Sequence, residues 1–251
     1  MAAPWPKDAL CPSGGEVAGF PPISRTKTLY YRPYTGRSIC DEPFYWDVDV
    51  RKIVRRTSDG SWSTIAPSPV PQFIGVCIHG RHDICCGVRG GMFARRFRGL
   101  LPDAPIYGVS HLGGDRFSAN VIVLPSGYLL GRLDDADDNE LRELAENGLL
   151  PLANLRGRLG LTPVEAVAEI WYRRQFQQRN PLHIPRITVV GSPAQKPRRY
   201  RVRVVHGVRY WLLEANLEPD REISIRYTCV TREKRLMYRW NVRLVGEGGN
   251  A

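Results

Sequence analysis

The hydrophobic pattern of this chain changes near Pro185. Before that residue, short apolar runs such as Phe73 to Cys77 are separated by segments of helical spacing, which is typical of an α/β unit. After it, apolar and polar residues alternate with a period of two, as they do from Leu236 to Leu244. Such alternation indicates antiparallel strands with one face in water. We therefore expect an α/β fold with a C-terminal antiparallel β extension.

Apolar runs, turn residues and caps predict the individual elements. Residues 162–165 form a capping box with proline at the first helical position, and Ser126-Gly127 is a hairpin turn. The segment Val48–Arg55 is compatible with a strand or a short helix. In one helix, Met92, Phe93 and Phe97 form the expected apolar face. The predicted strands are Thr28–Tyr34, Phe73–Cys77, Ile106–Val109, Asn120–Leu124 and Tyr128–Leu133, and the predicted helices are Gly87–Leu100, Asp134–Gly148 and Thr162–Gln175.

We divide the chain into three parts. Frequent proline and glycine predict an irregular arm over residues 1–26. A compact domain is expected over 27–180, and a basic antiparallel β extension over 185–246. Within the extension, turns are predicted at His206-Gly207 and at 231–234. Its predicted buried face consists of Tyr200, Val202, Val204, Ile223, Ile225, Tyr227, Cys229, Leu236, Tyr238, Trp240, Val242 and Leu244.

Charge and cysteine content narrow the classes of function. The net charge is +11, and residues 186–245 alone contain 14 Lys and Arg against 5 Asp and Glu. This balance favours anionic partners. The chain has no apolar stretch of about 20 residues and no signal-peptide core at its start, so we expect a cytoplasmic protein without membrane contact. Six cysteines are too few and too unevenly spaced for a disulfide scaffold, and without a secretion signal we expect them to stay reduced. Metal binding or thiol chemistry is then their leading use.

Two short motifs carry the residues suited to such chemistry. Eight residues lie between Cys77 and Cys86, and three lie between His111 and Asp115. Each pair follows a predicted strand, so all four side chains can converge on one centre at the end of the sheet. Thiolates with imidazole suit iron or zinc. Between the second pair, Gly113 and Gly114 would let backbone approach the inorganic atoms closely.

The motifs VCIHGRHDICCGVRGGMFARRF and SHLGGDRFSANVIVLPSGYLLGRL resemble the sucrase/ferredoxin-like family, a branch of the thioredoxin-like [2Fe-2S] ferredoxins. The resemblance is clear from Phe73 to Leu133 and weaker over the rest of the α/β unit. It implies a thioredoxin-like fold, a [2Fe-2S] cluster and electron transfer inside the cell. Family members hold the cluster with two cysteines and two histidines. The cysteines map onto Cys77 and Cys86, and the first histidine maps onto His111.

The second histidine of the family pattern is replaced by Asp115. We leave the fourth ligand open between Asp115 and Cys85, since either gives an oxidised site with a net charge of −1. Side chains of neighbouring helical residues point about 100° apart, so Cys85 and Cys86 would not both face the same iron, and we favour Cys86. Further residues of the first motif, His79, His82 and Asp83, are expected to support the loop rather than to bind metal.

A one-electron carrier with an acidic redox partner is therefore the leading hypothesis, in preference to an enzyme. A thiol-disulfide oxidoreductase of thioredoxin-like fold is the first alternative, although the Cys-x-x-Cys spacing of dithiol enzymes is missing. A structural zinc protein with the same ligands is the second. Nucleic-acid binding by the basic extension is disfavoured, because Tyr227, Tyr238 and Trp240 alternate onto its predicted buried face.

Overall fold

A computed structural model of the chain describes residues 26–33, 42–47, 52–56, 61–66, 68–81, 83–190, 199–226 and 232–249. Several predicted features lie outside the described residues. They are residues 1–25 of the arm, residues 48–51 of the segment Val48–Arg55, His82, and Tyr227 and Cys229 in the extension.

The described residues form a mixed α/β structure with two sheets and three α-helices. The strands of the first sheet are β1 (Thr26–Pro33), β2 (Glu42–Asp47), β3 (Lys52–Arg56), β4 (Trp62–Ile65), β5 (Phe73–Cys77), β6 (Ile106–Val109), β7 (Val121–Leu124), β8 (Tyr128–Leu130) and β9 (Leu155–Arg158). The strands of the second sheet are β10 (Arg186–Val190), β11 (Arg199–His206), β12 (Arg209–Ile225) and β13 (Arg235–Gly249). The helices are α1 (Ile84–Leu100), α2 (Asp138–Asn147) and α3 (Pro163–Gln175).

The first sheet has the strand order β4-β3-β2-β1-β6-β5-β7-β8-β9. Only β5 and β6 pair in parallel, and α1 connects them. Every residue of β5 is buried, and its side chains alternate between two apolar clusters. Ile74 and Val76 pack with Phe93 and Phe97 of α1, while Cys77 belongs to the cluster on the other side. The carboxyl end of β5 therefore lies beside the beginning of α1, inside the core.

The second sheet is an antiparallel meander that packs on α3. Val202, Val204 and Leu213 are fully buried against Ala168 and Tyr172 of the helix. The predicted alternation of the extension and its turn at His206-Gly207 are confirmed, since Gly207 has a φ of +59° between paired β11 and β12. None of the three described helices has the length and apolar character needed to cross a bilayer.

The predicted buried face of the extension is wrong at several positions. Ile223, Leu236 and Tyr238 are between 37% and 43% exposed. The reason is that β11 begins at Arg199, opposite Asn216, so that in the described part of the chain β12 and β13 continue beyond it as a two-stranded ribbon. Leu244, on the edge strand β13, is also exposed. Trp240 and Val242 pack partly against the α3 cluster, as expected.

The α/β unit follows the sequence prediction most closely at its centre. Strands β5 and β6 and helix α3 have the predicted bounds, and the capping box of α3 is formed. Helix α1 begins three residues before the predicted Gly87, because Asp83 caps it by accepting a hydrogen bond from the Cys85 N–H at 2.7 Å. Helix α2 begins at Asp138 rather than Asp134, because a 3₁₀ turn precedes it. Strands β2, β4 and β9 were not predicted.

A buried ionic network joins the first sheet to α3. Glu169 is 1% exposed and accepts hydrogen bonds from Tyr128 at 2.5 Å, from Arg158 at 3.2 Å and from Arg173 at 3.1 Å. Burial and the neighbouring carboxylate raise the pKa of the Tyr128 hydroxyl, so the hydroxyl remains a donor. Arg173 also donates to the carbonyls of Gln178 and Asn180, which fixes the chain beyond α3.

Replacing Glu169 by glutamine should lower the free energy of unfolding by about 3–5 kcal/mol, because two buried arginines would lose their counter-charge. Denaturant unfolding measures the change. Thr162→Ala is the control within the same helix, since it removes only the N-cap and should cost about 1 kcal/mol. Equal effects of the two substitutions would contradict the role that we assign to the network.

Candidate metal centre

Cys77 and Cys86 meet where β5 ends and α1 begins. Cys77 is the last residue of β5, Cys86 lies in the first turn of α1, and both are free cysteines with no exposed surface. Gly90 makes this approach possible, because a Cβ at that position would overlap the Cys77 carbonyl oxygen. The helix can therefore pack directly against the strand end, which brings the two sulfur atoms together.

The loop after β6 adds His111 and Asp115. The Cys77 and Cys86 sulfurs and one His111 ring nitrogen all lie within 4.8 Å of one another, and all three residues are buried. The Asp115 Oδ1 atom lies 3.3 Å from the His111 Nδ1 atom and accepts a hydrogen bond from the Cys86 thiol at 3.5 Å. The structure thus brings together the four residues that the two motifs singled out.

Gly113 and Gly114 shape the loop between His111 and Asp115. Both have left-handed backbone, with φ values of +83° and +73°, which glycine adopts without strain. A Cβ on Gly114 would overlap the Arg156 guanidinium. These glycines therefore form the turn that brings Asp115 back towards His111. The missing side chain of Gly114 leaves room for Arg156.

Cys85 differs from Cys86 in its surroundings. It is half-buried and disulfide-bonded, so the expectation that the cysteines stay reduced is wrong at this residue. Its N–H donates to Asp83 and its carbonyl accepts from the Ser118 hydroxyl at 2.9 Å. Among the described residues, the group of closely spaced sulfur and nitrogen atoms contains Cys77, Cys86 and His111. Asp115 contacts two members of that group, and Cys85 holds the loop and the helix start in place through its backbone.

The pKa values of the two thiols are shifted in opposite directions. The Cys86 thiol donates to Cys77, and His111 and the N–H groups of His79 and Leu112 add further hydrogen bonds, so the pKa of Cys77 falls well below its usual value despite burial. The pKa of Cys86 is raised by its bond to Cys77, by burial and by the Asp115 carboxylate. A bound metal ion would supply the positive charge that a second thiolate needs.

A half-buried arginine stands beside the two thiols and Asp115. The Arg156 guanidinium donates to the Gly113 carbonyl at 3.1 Å and to the Asn120 side-chain oxygen at 2.6 Å, and lies 4.8 Å from the centre of the Phe117 ring. Burial, with repulsion from Arg116, lowers the pKa of Arg156 to about 10, while Cys77, Asp115 and Cys86 oppose the change. Arg156 is therefore still a cation at neutral pH.

Sequence reasoning missed Arg156. It lies on β9, which was not predicted, 41 residues after Asp115 and among many arginines. Two of the residues that were expected to support the loop, His79 and Asp83, lie in the described part of the chain. His79 is buried and its N–H donates to Cys77, and Asp83 caps α1.

These observations define the class of protein: a mixed α/β protein whose buried Cys-Cys-His group, beside a carboxylate and an arginine, can hold a metal. The family described as sucrase/ferredoxin-like matches residues 19–174, which is more than half of the chain. The chain therefore belongs to the sucrase/ferredoxin-like family, and the resemblance seen in the two motifs is confirmed. No curated protein and no solved structure matches the chain.

Gly90→Ala should abolish metal retention, because the added methyl would push α1 away from the Cys77 carbonyl and separate the two sulfurs. Gly99→Ala is the matched control on the same helix, since nothing lies within 4 Å of a Cβ there. That control should keep the metal and gain up to about 1 kcal/mol in helix propensity. Elemental analysis of the purified variants measures metal per chain, and full retention by Gly90→Ala would refute this account of the site.

Arg156→Gln should raise the pKa of the Cys77 thiol in metal-free protein, because a half-buried cation that stabilises the thiolate is lost. The thiolate absorbance in the ultraviolet, followed against pH, should have its midpoint at higher pH than in the wild-type protein. Cys77→Ser identifies the contribution of this thiol. Arg142→Gln, an exposed substitution on α2, should leave the midpoint in place. An unchanged midpoint in Arg156→Gln would show that the guanidinium does not act on the thiols.

Proposed function

We propose that this protein is a one-electron carrier that holds a [2Fe-2S] cluster with Cys77, Cys86, His111 and Asp115. The observation that carries the proposal is the convergence of two free cysteines, a histidine and an aspartate in one buried place. The donors fit the cluster, because thiolates and imidazole are its usual protein ligands. When bound, a cluster of this kind accepts and releases one electron without forming a bond to a substrate.

The chain's own residues would position and tune the site. Cys77 and Cys86 supply the thiolates, and backbone N–H groups of His79 and Leu112 stabilise the Cys77 sulfur. Asp115 occupies the position at which the family pattern has its second histidine, and its contact with Cys86 favours it over Cys85 as the fourth ligand. A carboxylate adds a negative charge that opposes electron uptake, and the Arg156 cation offsets part of that effect.

We also propose that the domain is thioredoxin-like. The support is the central part of the first sheet, where β5, α1 and β6 form a parallel unit and β7 and β8 follow as antiparallel strands, in the order β6-β5-β7-β8. Helix α3 follows these strands in the chain, as the last helix of such a domain would. Family membership supports the same assignment.

Burial disfavours a thiol-disulfide oxidoreductase that uses Cys86 as its nucleophile. Cys77 and Cys86 have no exposed surface, so a substrate disulfide has no path to the more acidic thiol without opening the loop around it. A structural zinc site is the second candidate, because three donors within 4.8 Å and an adjacent carboxylate also suit a single tetrahedral ion. Zinc would make the purified protein colourless.

A redox partner follows from a carrier function. The net charge of +11 favours an acidic partner protein, and a cytoplasmic location agrees with the proposed role. We do not assign nucleic acid as a partner, because Trp211 and Trp240 of the second sheet pack against α3 instead of forming an open stacking surface.

Electron paramagnetic resonance of the reduced protein tests the assignment of ligands. Asp115→Ala should lose or strongly change the signal of the wild-type protein, because an iron would lose its carboxylate. Cys85→Ser, the control, should keep the signal. The opposite result would make Cys85 the fourth ligand, and a wild-type protein without any signal but with bound zinc would establish the second candidate.

Asp115→His should raise the midpoint potential, because a neutral imidazole replaces a carboxylate and makes the site less negative. A redox titration followed by visible absorbance measures the shift. The control is Asp138→His, which alters an exposed carboxylate that pairs with Arg96 and should leave the potential unchanged. A potential that does not respond to Asp115→His would exclude Asp115 as a ligand.

A further inference from the structure

Helix α1 presents an apolar stripe to solvent. Ile84, Val88 and Met92 are 60%, 54% and 58% exposed, and their spacing of four residues places them along one face. Phe93 and Phe97 bury the opposite face of the helix. Met92, which we expected in the core, is therefore part of an exposed surface. Large apolar residues that adjoin one another on a surface are a common mark of protein interaction sites.

Arginines stand at both ends of this stripe, which we define as Ile84, Val88 and Met92. Arg81 is exposed just before α1, and Arg95, three helical turns after Ile84, is exposed in line with the stripe. The helix contains no acidic residue. Its arginines Arg89 and Arg96 are paired with acidic residues near α2. The stripe therefore combines apolar contact area with positive charge at its two ends.

The stripe begins beside the metal centre. Ile84 is two residues from Cys86, in the same helical turn, whereas the sulfurs of Cys77 and Cys86 are fully buried. An electron must tunnel between the buried site and a partner, and the tunnelling rate falls steeply with distance. A partner that binds at the first turns of α1 would have a short covalent path through the backbone of residues 84–86.

We infer that the stripe, with Arg81 and Arg95, is the docking surface for an acidic one-electron carrier protein. Its partner would present an apolar patch surrounded by carboxylates, because these groups complement the stripe and the two guanidinium groups. Opposite charges would steer the encounter, and burial of Val88 would hold the complex in register. The inference rests on the proposed function, since it assigns the partner of that same site.

Electron transfer from reduced flavodoxin, an acidic one-electron flavoprotein, tests the inference by stopped flow with the iron-loaded protein. Val88→Asp should lower the second-order rate constant about tenfold, because a carboxylate would enter the centre of the contact. Arg95→Glu should lower the rate similarly and weaken its dependence on salt. Arg201→Glu, an equal change of charge at an exposed position of the second sheet, should have less than a twofold effect.

Visible absorbance and midpoint potential are measured first for each variant, so that the site is known to be intact. If the sites are intact and Val88→Asp and Arg95→Glu transfer electrons at the wild-type rate, the inference is overturned. It is also overturned if Arg201→Glu slows transfer as much as they do, or if Val88→Asp only dissociates a dimer of this chain. A wild-type protein that contains no iron refutes the proposed function itself, which the first measurement reveals separately.

Discussion

The contact between the end of β5 and the first turns of α1 determines the rest of the site. Gly90 lies against the Cys77 carbonyl, and this close packing places the Cys86 sulfur beside the Cys77 sulfur within the apolar core. Two thiols in such surroundings cannot both ionise without a compensating positive charge. The packing of β5, α1 and Gly90 thus forms a buried pair of thiols to which a cation could bind.

The loop after β6 and strand β9 place three further polar side chains near the sulfurs. His111 and Asp115 approach the sulfurs from one side, and the Arg156 guanidinium, held by the Gly113 carbonyl and Asn120, lies behind them. The aspartate that replaces the second histidine of the family pattern makes this group of side chains more negative. The half-buried arginine nearby offsets part of that negative charge, so the two residues form one electrostatic unit.

Local signals predicted the parts of the fold that local interactions determine. The capping box at Thr162 and the apolar run ending at Cys77 gave correct bounds, and the paired motifs identified four side chains that the structure brings together. Arg156 could not be found in this way, because its position depends on the pairing of β9 with β8. The exposure of Met92 and Tyr238 was not predicted. Hydrophobic periodicity shows which residues share one face of a helix or strand, but not whether another element packs on that face.

Iron and acid-labile sulfide in freshly isolated protein, counted per chain, test the central claim most directly. Two irons and two sulfides per chain are the result that the account predicts. Zinc in place of iron, or protein with neither iron nor labile sulfide, would contradict it.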